Sequence, residues 1–577
     1  MRQLAGYLSK YKRESILGPL FKMLEASFEL FVPLVMAKLI DVGIGRSDTA
    51  YILKMAGILV GLAVIGLACS LTAQYFAAKA AVGACTDIRN DLYAHINRLS
   101  YRELDQIGTA TLITRMTSDI NQVQAGVNMT LRLFLRSPFI VFGAMIMAFT
   151  VNVRAALVFV VAIPLLSVVV FGIMLISMPL YKKVQKQLDE VTLTTRENLT
   201  GARVIRAFNR QEQEIGSFAA ANQGLVAAQV FVGKISALMN PVTYVIINLA
   251  IAAVIWTSGH QVNEGIITQG QTVALVNYMS QILVELIKLA SLIISLSKSV
   301  ACMNRVFDVF KARSEITDGS GAGVPEGKQD AAVRFSRVSF RYQDTGEDVL
   351  GGLDFTIEKG QMVGIIGGTG SGKSSLVNLI PRFYDVREGT VYVAGEDVRN
   401  YSLHQLREKV GVVPQKAVLF KGSLRDNMRW GKEDATDEEI YQALEIAQAR
   451  EFVEAKNEGL LMDIRAGGKN LSGGQRQRLT IARALVRQPE ILILDDSASA
   501  LDFATDAALR KAIRENTKDM TVFLVSQRAA SVRQADRILV LDDGYLADQG
   551  THDELFERCE LYREICLSQL SAEEVKS

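Results

Sequence analysis

The sequence has little charge of either sign and few cysteines for its length. Charged residues occupy 21% of the 577 positions, and 63 Lys and Arg nearly balance 61 Asp and Glu, for a net charge of +2. This balance offers no basic field for a nucleic-acid duplex, so no nucleic-acid partner is expected. The five cysteines show no CxxC spacing, which argues against a disulfide scaffold or a zinc cluster. Apolar residues make up 49%, which excludes a disordered chain and is high for a soluble enzyme.

Long uncharged runs are concentrated in the first 300 residues. No charged side chain occurs between residues 155 and 180, and a helix needs about 20 apolar residues to cross a bilayer core. Three further runs are uncharged and two carry a few charges; these are 55–73, 137–153 and 235–259, then 16–40 and 270–297. The sequence therefore predicts six transmembrane helices and a chain embedded in the lipid bilayer.

Lysine and arginine are distributed unevenly among the connections between these runs. The long connections 86–128 and 181–231 are basic, whereas the short ones at 41–51, 152–154 and 260–269 hold only Arg46 and Arg154. Basic loops stay cytoplasmic, so both termini of this multi-pass protein are expected on the cytoplasmic side of the cell (inner or plasma) membrane. No cleavable signal peptide is expected at the start. Both long connections keep helical spacing, which predicts continuing helices; a separate soluble insertion is the alternative.

The composition changes after Arg313. Residues 316–331 are rich in Gly, Ser, Asp and Pro, as linkers are. From residue 332 onward, short apolar runs alternate with helical stretches, which is typical of a parallel α/β domain with buried strands. We therefore expect a six-helix transmembrane domain over 1–315, a linker over 316–331 and an α/β domain over 332–577.

A glycine-rich loop follows the apolar run 362–366 and precedes a helical stretch. It matches GxxxxGK[ST], a loop whose backbone amides cradle nucleotide phosphates. Its residues are Gly367, Gly368, Thr369, Gly370, Ser371, Gly372, Lys373 and Ser374, with Ser375 next. Lys373 is expected to neutralise the phosphates of ATP, and Ser374 to bind Mg²⁺. The alternative is a glycine-rich turn that only begins a helix.

Two carboxylates end a second apolar run, which begins at residue 491. Asp495 is expected to hold Mg²⁺ through water. Asp496 is expected to stand where an attacking water must be polarised. The alternative for both is a solvated acidic end of a strand.

A third motif lies roughly one hundred residues after the glycine-rich loop and shortly before the paired carboxylates. It consists of Leu471, Ser472, Gly473, Gly474 and Gln475. In this order the motifs resemble the ABC transporter family, over essentially the whole chain, and the chain looks like a type IV exporter half-transporter. The resemblance implies a membrane α-helical bundle of six helices with long cytoplasmic extensions, followed by an α/β P-loop ABC ATPase domain. The implied cofactors are ATP and Mg²⁺.

The resemblance also implies roles for residues outside the glycine-rich loop. Tyr342 would stack on adenine and Gln415 would contact Mg²⁺. Residues 499–502, which end at Asp502, would form the D-loop. In such transporters two nucleotide domains pair head to tail, so the signature 471–475 completes the ATP site of the partner in trans. Helical segments that couple the membrane bundle to the nucleotide domains are expected near 116–124 and 197–208.

Two positions depart from the family pattern at the reaction centre. Asp496 replaces the usual glutamate and is one methylene shorter, and Gln527 replaces the usual switch histidine and cannot carry a charge. The signature is intact. This combination resembles the degenerate-site subunit of heterodimeric multidrug ABC exporters, whose partner is a second ABC half-transporter and whose substrates are amphipathic drugs or lipids. A homodimeric exporter with slow hydrolysis and a non-transporting membrane ATP sensor are the alternatives.

Glu25 and Glu29 lie one helical turn apart in the charged run 16–40. Carboxylates within a membrane are costly and commonly face a protein interior or a wet cavity. One hypothesis is that both line a cation-attracting substrate cavity. The other is that a structural partner, such as Lys22, neutralises them.

Overall fold

The computed structural model describes residues 2–319, 331–342, 346–497, 499–517 and 519–569. The chain divides into two compact units. The first unit comprises Met1–Asn97 and Ile107–Ala312, and the second comprises Arg98–Gln106 and Arg313–Ser577. Most of the predicted linker, residues 320–330, lies outside the described residues.

Helices make up the regular structure of the first unit in the part of the chain described. They are α1 (Arg2–Leu8), α2 (Lys12–Lys38), α3 (Thr49–Ile96), α5 (Thr109–Thr114), α6 (Ile120–Leu133), α7 (Arg136–Val151), α8 (Val153–Thr200), α9 (Ala202–Ala207), α10 (Gln211–Ala237), α11 (Met239–Asn263) and α12 (Gln269–Lys311); α4 (Tyr101–Ile107) lies mainly in the second unit. Helices α3 and α8 each have 48 residues. At 1.5 Å per residue they are about 72 Å long, more than twice a bilayer core. The predicted long extensions of the spanning helices are therefore confirmed.

Five helical segments of the described chain are long and apolar enough to cross a membrane. They are Thr49–Ile96, Thr109–Val151, Val153–Thr200, Gln211–Asn263 and Gln269–Lys311. The remaining predicted span, 16–40, forms α2, which is continuous through Pro19 and Pro33 but carries Lys22, Glu25 and Glu29 in its interior. The predicted membrane bundle is confirmed, and α2 is its most polar long helix because these charges lie within it.

Polar side chains start three of the long helices. Asp48 accepts a hydrogen bond from the backbone of Tyr51, and Asn152 accepts one from Ala155 at 2.9 Å. Thr268 and Gln271 form a reciprocal capping box at the start of α12. These caps satisfy amides that have no acceptor within the helix, so the chain can turn sharply between long apolar helices.

A six-stranded sheet forms the centre of the second unit. Its order is β12-β11-β3-β10-β9-β6, and all neighbours except β11 and β12 pair in parallel. These strands are β3 (Met362–Gly367), β6 (Val410–Val413), β9 (Ile491–Asp495), β10 (Thr521–Val525), β11 (Arg537–Asp542) and β12 (Tyr545–Gly550). The first five coincide with the predicted apolar runs, and the predicted α/β fold is confirmed. Every residue of β3, β9 and β10 is buried, as expected for strands covered on both faces.

A second sheet is antiparallel and was not predicted. Its order is β2-β1-β4-β5, from β1 (Ala331–Phe340), β2 (Leu350–Glu358), β4 (Glu388–Val393) and β5 (Glu396–Asp397); a two-stranded pair, β7 (Gly422–Ser423) with β8 (Asp463–Ile464), lies elsewhere. Buried and exposed residues alternate along β2. Such alternation is typical of a strand with one buried face. The predicted strands were continuous apolar runs, so β2 was not among them.

The helices of the second unit surround the central sheet. They are α13 (Lys373–Leu379), α14 (Leu403–Lys409), α15 (Leu424–Arg429), α16 (Asp437–Ile446), α17 (Arg450–Glu454), α18 (Gly473–Leu485), α19 (Phe503–Asn516), α20 (Ala529–Val532), α21 (His552–Arg558) and α22 (Glu560–Gln569). The apolar faces of α15 to α22 share one core with strands of the central sheet, whereas those of α13 and α14 belong to a second core that includes the antiparallel sheet. Together these cores fix the strand ends from which the functional loops emerge.

The segment Arg98–Gln106 packs within the second unit although it precedes residues of the first in the chain. The Tyr101 ring lies 4.6 Å from the Phe383 ring, and the Tyr384 hydroxyl donates to Asp105 at 2.8 Å. The predicted coupling segment 116–124 belongs to the first unit, where Arg305 bonds Asp119. Its coupling role stays a prediction.

Candidate nucleotide-binding site

The register of the parallel sheet brings three functional loops to one edge. Val525, the last residue of β10, pairs with Ile365 of β3 on one side and with Asp495 of β9 on the other. The loops that follow these three strands therefore emerge side by side. They form a cleft whose predicted residues are Thr369, Gly370, Gly372, Lys373, Ser374, Ser375, Gln415, Asp495, Asp496 and Gln527, and which Val349, Val525 and Ser526 also line.

The glycine-rich loop has the backbone conformation that its glycines allow. Gly370 and Gly372 have φ of +87° and +90°, in the left-handed region that other residues disfavour. A Cβ at Gly372 would also lie 2.6 Å from Leu350 Cδ2, whereas no described residue comes within 4 Å of a Cβ at Gly370. The loop is thus packed closely at its end and open where phosphates would lie.

Lys373 is buried beneath this loop. Its ammonium donates to the carbonyl oxygens of Gly367 at 3.0 Å and Gly368 at 2.6 Å. Burial lowers the pKa of Lys373, while the neighbouring Asp496 and Asp495 oppose that shift. Because its ammonium is held at the loop near two carboxylates, Lys373 is suited to stabilise the negative charge of phosphates.

The residues predicted to hold Mg²⁺ are brought together by the fold. The Ser374 hydroxyl donates to Asp495 Oδ1 at 2.9 Å, and Gln415 Nε2 donates to Asp496 Oδ2 at 3.2 Å. Burial raises the pKa of Asp495; the Ser374 hydrogen bond opposes this shift and the nearby Asp496 adds to it. Hydroxyl, carboxylate and amide oxygens are ligands that Mg²⁺ prefers, so Ser374, Asp495 and Gln415 fit the ion chemically.

Asp496 occupies a backbone conformation that is uncommon for a residue with a side chain. Its φ is +45°, and its amide donates to the Val525 carbonyl at 3.0 Å. Asp tolerates this region better than most residues. Gln415 holds the carboxylate, and Gln527, just after the end of β10, lines the same cleft. Both positions that depart from the family pattern therefore lie at one centre.

Tyr342 lies beside the cleft. Its hydroxyl is 2.8 Å from Ser375 Oγ, and edge-to-face contacts with Phe340 and Tyr384 hold its ring. The residue is 37% exposed, so part of the ring is open to stack on a base. The adenine role of Tyr342 stays a prediction.

The signature motif starts helix α18. Ser472 accepts from the Gln475 amide, and the Gln475 side chain accepts from the Ser472 amide, which forms a capping box. Ser472 and Gly473 are exposed, and nothing in the described chain lies within 4 Å of a Cβ at Gly473. Leu471 and Gly474 are partly buried, and a Cβ on Gly474 would lie 3.2 Å from the Ala500 carbonyl of the D-loop. Asp502 caps α19 by accepting from the Thr505 amide at 2.9 Å.

Comparisons with known proteins agree with this arrangement. The families described as "ABC transporter transmembrane region" and "ABC transporter" match residues 15–286 and 350–499. An uncharacterized ABC transporter ATP-binding protein of Mycobacterium tuberculosis is 34% identical over 98% of this chain and 97% of its own length. The chain belongs to the ABC transporter family. It is a half-transporter of the exporter type and a multi-pass membrane protein with an ATP-binding domain.

Two further comparisons refine the similarity of this ABC transporter to known proteins. A putative multidrug export ATP-binding/permease protein of Bacillus subtilis is 31% identical over 98% of each chain. The solved structure of a bacterial Atm1-family ABC exporter with ATP bound is 24% identical, covers 97% of this chain and 99% of its own, and superposes with a TM-score of 0.79. The second comparison establishes the fold.

The predicted membrane carboxylates of the transporter both have basic partners. Glu25 pairs with Lys22 at 2.5 Å, and Lys22 also donates to Ser70. Glu29 pairs with Arg136 at 2.6 Å, and Arg136 in turn pairs with Glu285 at 2.7 Å. Arg136 was not among the predicted residues, because it directly precedes the uncharged run 137–153 and was not counted with it. The contacts favour charge neutralisation, and the cavity role of the two carboxylates stays a prediction.

The position of Lys373 predicts that Lys373→Ala weakens ATP binding by at least about tenfold, because a charge-assisted contact to phosphate is lost. The measurement is equilibrium binding of a fluorescent ATP analogue to the purified transporter. Lys359→Ala is the matched control, because it removes an exposed lysine outside the glycine-rich loop. This variant should bind ATP normally. Unchanged binding by Lys373→Ala would show that the loop does not hold the nucleotide.

The Arg136 contacts predict unequal effects for its two carboxylate partners. Glu285 has a side chain 4% exposed, so Glu285→Gln should lower the free energy of unfolding by about 3 kcal/mol, as loss of one member of a buried ion pair does. The Glu29 side chain is 40% exposed, and Glu29→Gln should cost about 1 kcal/mol or less. Unfolding of the purified transporter in detergent is the measurement. Equal losses would contradict the unequal burial of the two pairs.

Proposed function

We propose that this half-transporter is one subunit of a heterodimeric exporter that moves amphipathic drugs or lipids outward across the cell membrane by alternating access. Its own ATP site binds nucleotide but hydrolyses it slowly. Its signature completes the catalytic site of a second half-transporter, where most hydrolysis takes place. Both termini are proposed to be cytoplasmic, with the membrane domain over 1–315 and the nucleotide domain over 332–577.

The observation that carries this proposal is the pair of substitutions that meet in one cleft. Asp496 holds its carboxylate one methylene closer to the backbone than glutamate would, and that carboxylate is engaged by Gln415. Gln527 lines the same cleft and can donate a hydrogen bond but no charge. A retracted base can lose on the order of 10²-fold in rate, since catalysis is sensitive to displacements near 1 Å. Two such losses at one centre favour a site that binds more than it hydrolyses.

The intact signature supports a role toward a partner. Its capping box orders the backbone amides at the start of α18. Ser472 and Gly473 are exposed. Of the residues that line the chain's own cleft, none belongs to the motif 471–475 in the part of the chain described. An ordered helix start of this kind binds anions. We therefore assign it to the phosphates held by the partner.

The hairpin of α8, α9 and α10 also supports association with a second chain. Near its tip, Leu199, Val204 and Phe208 are 76%, 60% and 73% exposed. These residues lie in the predicted coupling segment 197–208, which is mostly polar or basic at its other positions. Exposed apolar side chains at the end of a long arm are typical of an interaction site. The proposed occupant is the nucleotide domain of the partner subunit.

Steady-state ATPase activity of three heterodimers, purified with the partner that copurifies, tests the asymmetry. Asp496→Asn should reduce turnover only modestly. Loss of the corresponding glutamate in the partner should cost on the order of 10²-fold or more, as loss of a general base does. Gly473→Asp should be as harmful as that partner variant. Because a Cβ at Gly473 meets nothing within 4 Å in the described residues, we expect this substitution to spare the fold of the chain and to act at the interface with the partner.

The result that rejects the heterodimer proposal is the opposite pattern. If Asp496→Asn alone abolishes turnover and Gly473→Asp is tolerated, the chain hydrolyses its own nucleotide, as in a homodimeric exporter. ATP-dependent transport by vesicles that contain both subunits separates an exporter from a membrane ATP sensor.

Substrate recognition is proposed to involve Glu29 more than Glu25. Glu29 is the more exposed carboxylate, with 40% of its side chain accessible against 16% for Glu25. We expect Glu29→Gln to lower uptake of cationic substrates several-fold, because an accessible carboxylate attracts them, and to spare neutral substrates. Vesicle uptake of matched cationic and neutral dyes is the measurement, with Glu25→Gln as the control. Equal loss for both dyes would assign Glu29 a structural role.

A further inference from the structure

At the junction between β10 and α20, two backbone groups have no hydrogen-bond partner within the strand or the helix. Ala529 is the first residue of α20, so its amide has no acceptor within that helix. The carbonyl of Gln527 lies beyond the end of β10. Both groups are satisfied by one side chain: Gln569 Nε2 donates to the Gln527 carbonyl at 2.9 Å, and Gln569 Oε1 accepts from the Ala529 amide at 2.9 Å.

Gln569 is held in place by the packing of helix α22. Tyr562 and Cys566 are fully buried and precede Gln569 by seven and three residues, so all three lie on one face of the helix. The Tyr562 hydroxyl lies 2.9 Å from Nδ1 of His552, which ties α22 to α21. Because this packing fixes the position of α22, the Gln569 side chain loses less conformational freedom when it bonds the Gln527 carbonyl and the Ala529 amide.

Arg528, between the two bonded residues, extends this connection to the D-loop. Its guanidinium donates to the carbonyls of Ser499 and Leu501, each at 3.4 Å, and lies 5.0 Å from the centre of the Phe503 ring. The Arg528 amide also donates to Ser526 Oγ at 3.0 Å. If the segment from Ser526 to Ala529 moved, both Gln527 and the D-loop would therefore move with it.

We propose that Gln569 is a positioning residue, which fixes the backbone of Gln527 at the end of the nucleotide cleft and, through Arg528, the carbonyls of the D-loop. The C-terminal helix thus belongs to the ATPase machinery without contacting nucleotide. This inference rests on the proposed function, in which Gln527 belongs to the ATP site of this chain. It does not depend on which of the two sites of the dimer hydrolyses faster.

The test compares Gln569→Ala with Ser568→Ala in the purified full-length transporter. Ser568 is exposed, and its hydroxyl donates to the Ile565 carbonyl of the same helix, so its variant controls for changes in α22. In Gln569→Ala, the Ala529 amide should exchange hydrogen about fivefold faster or more, since it loses its acceptor. We expect kcat for ATP to fall about tenfold, because the D-loop backbone that Arg528 holds approaches Gly474 of the signature, through which this chain is proposed to act on the faster site of the partner. KM should stay within about twofold, since the groups that hold the phosphates are unchanged.

Gln569→Glu separates the two hydrogen bonds. A glutamate retains an acceptor for the Ala529 amide but has no donor for the Gln527 carbonyl, so exchange at Ala529 should stay slow while kcat still falls. If exchange at Ala529 is unchanged in Gln569→Ala, or if exchange rises and kcat is unaffected, the positioning role is rejected. Failure of the heterodimer proposal would appear instead in the Asp496→Asn and Gly473→Asp variants, and would leave the Gln569 result unaffected.

Discussion

The parallel pairing of β3, β10 and β9 is the constraint on which the nucleotide site depends. Parallel strands end at the same edge of a sheet, so the loops after them must emerge together. Here Val525 lies between Ile365 and Asp495, and its neighbour Ser526 bonds to the Ile365 carbonyl. Residues separated by more than a hundred positions, such as Ser374 and Asp495, thereby come within hydrogen-bond distance. The burial of all three strands makes that register costly to shift.

A different constraint governs the membrane bundle, where charge must be neutralised within apolar surroundings. Arg136 joins Glu29 of α2 to Glu285 of α12, and Ser137 adds a hydrogen bond to Glu285. The buried hydroxyl of Tyr278 similarly donates to the Leu30 carbonyl. The Arg136–Glu29 and Tyr278–Leu30 contacts link α2 to α7 and α12, and the Glu285 contacts link α7 to α12. Charged and polar groups thus help to hold α2 in the bundle.

Within the second unit, the cleft and the signature motif are separate sites. The glycine-rich loop, Asp495 and Gln415 converge within one cleft, whose described lining residues do not include the capped start of α18. The D-loop lies between them, since its backbone approaches Gly474 on one side and Arg528 on the other. A change at one of these sites can therefore be transmitted to the other by short, direct contacts.

The sequence by itself determined the fold class, the buried parallel strands and ten of the thirteen residues that line the cleft, because long apolar runs and close motif spacing are local properties of the chain. It did not reveal the antiparallel sheet around β1, whose alternating pattern is weak, or the packing of Tyr101 against Phe383 within the second unit. Nor did it show that Arg136 neutralises Glu29 or that Gln569 supports Gln527. Those pairs join residues 107 and 42 positions apart. Only tertiary packing decides such contacts, since no local pattern records which distant polar group satisfies a buried charge or an unpaired backbone amide.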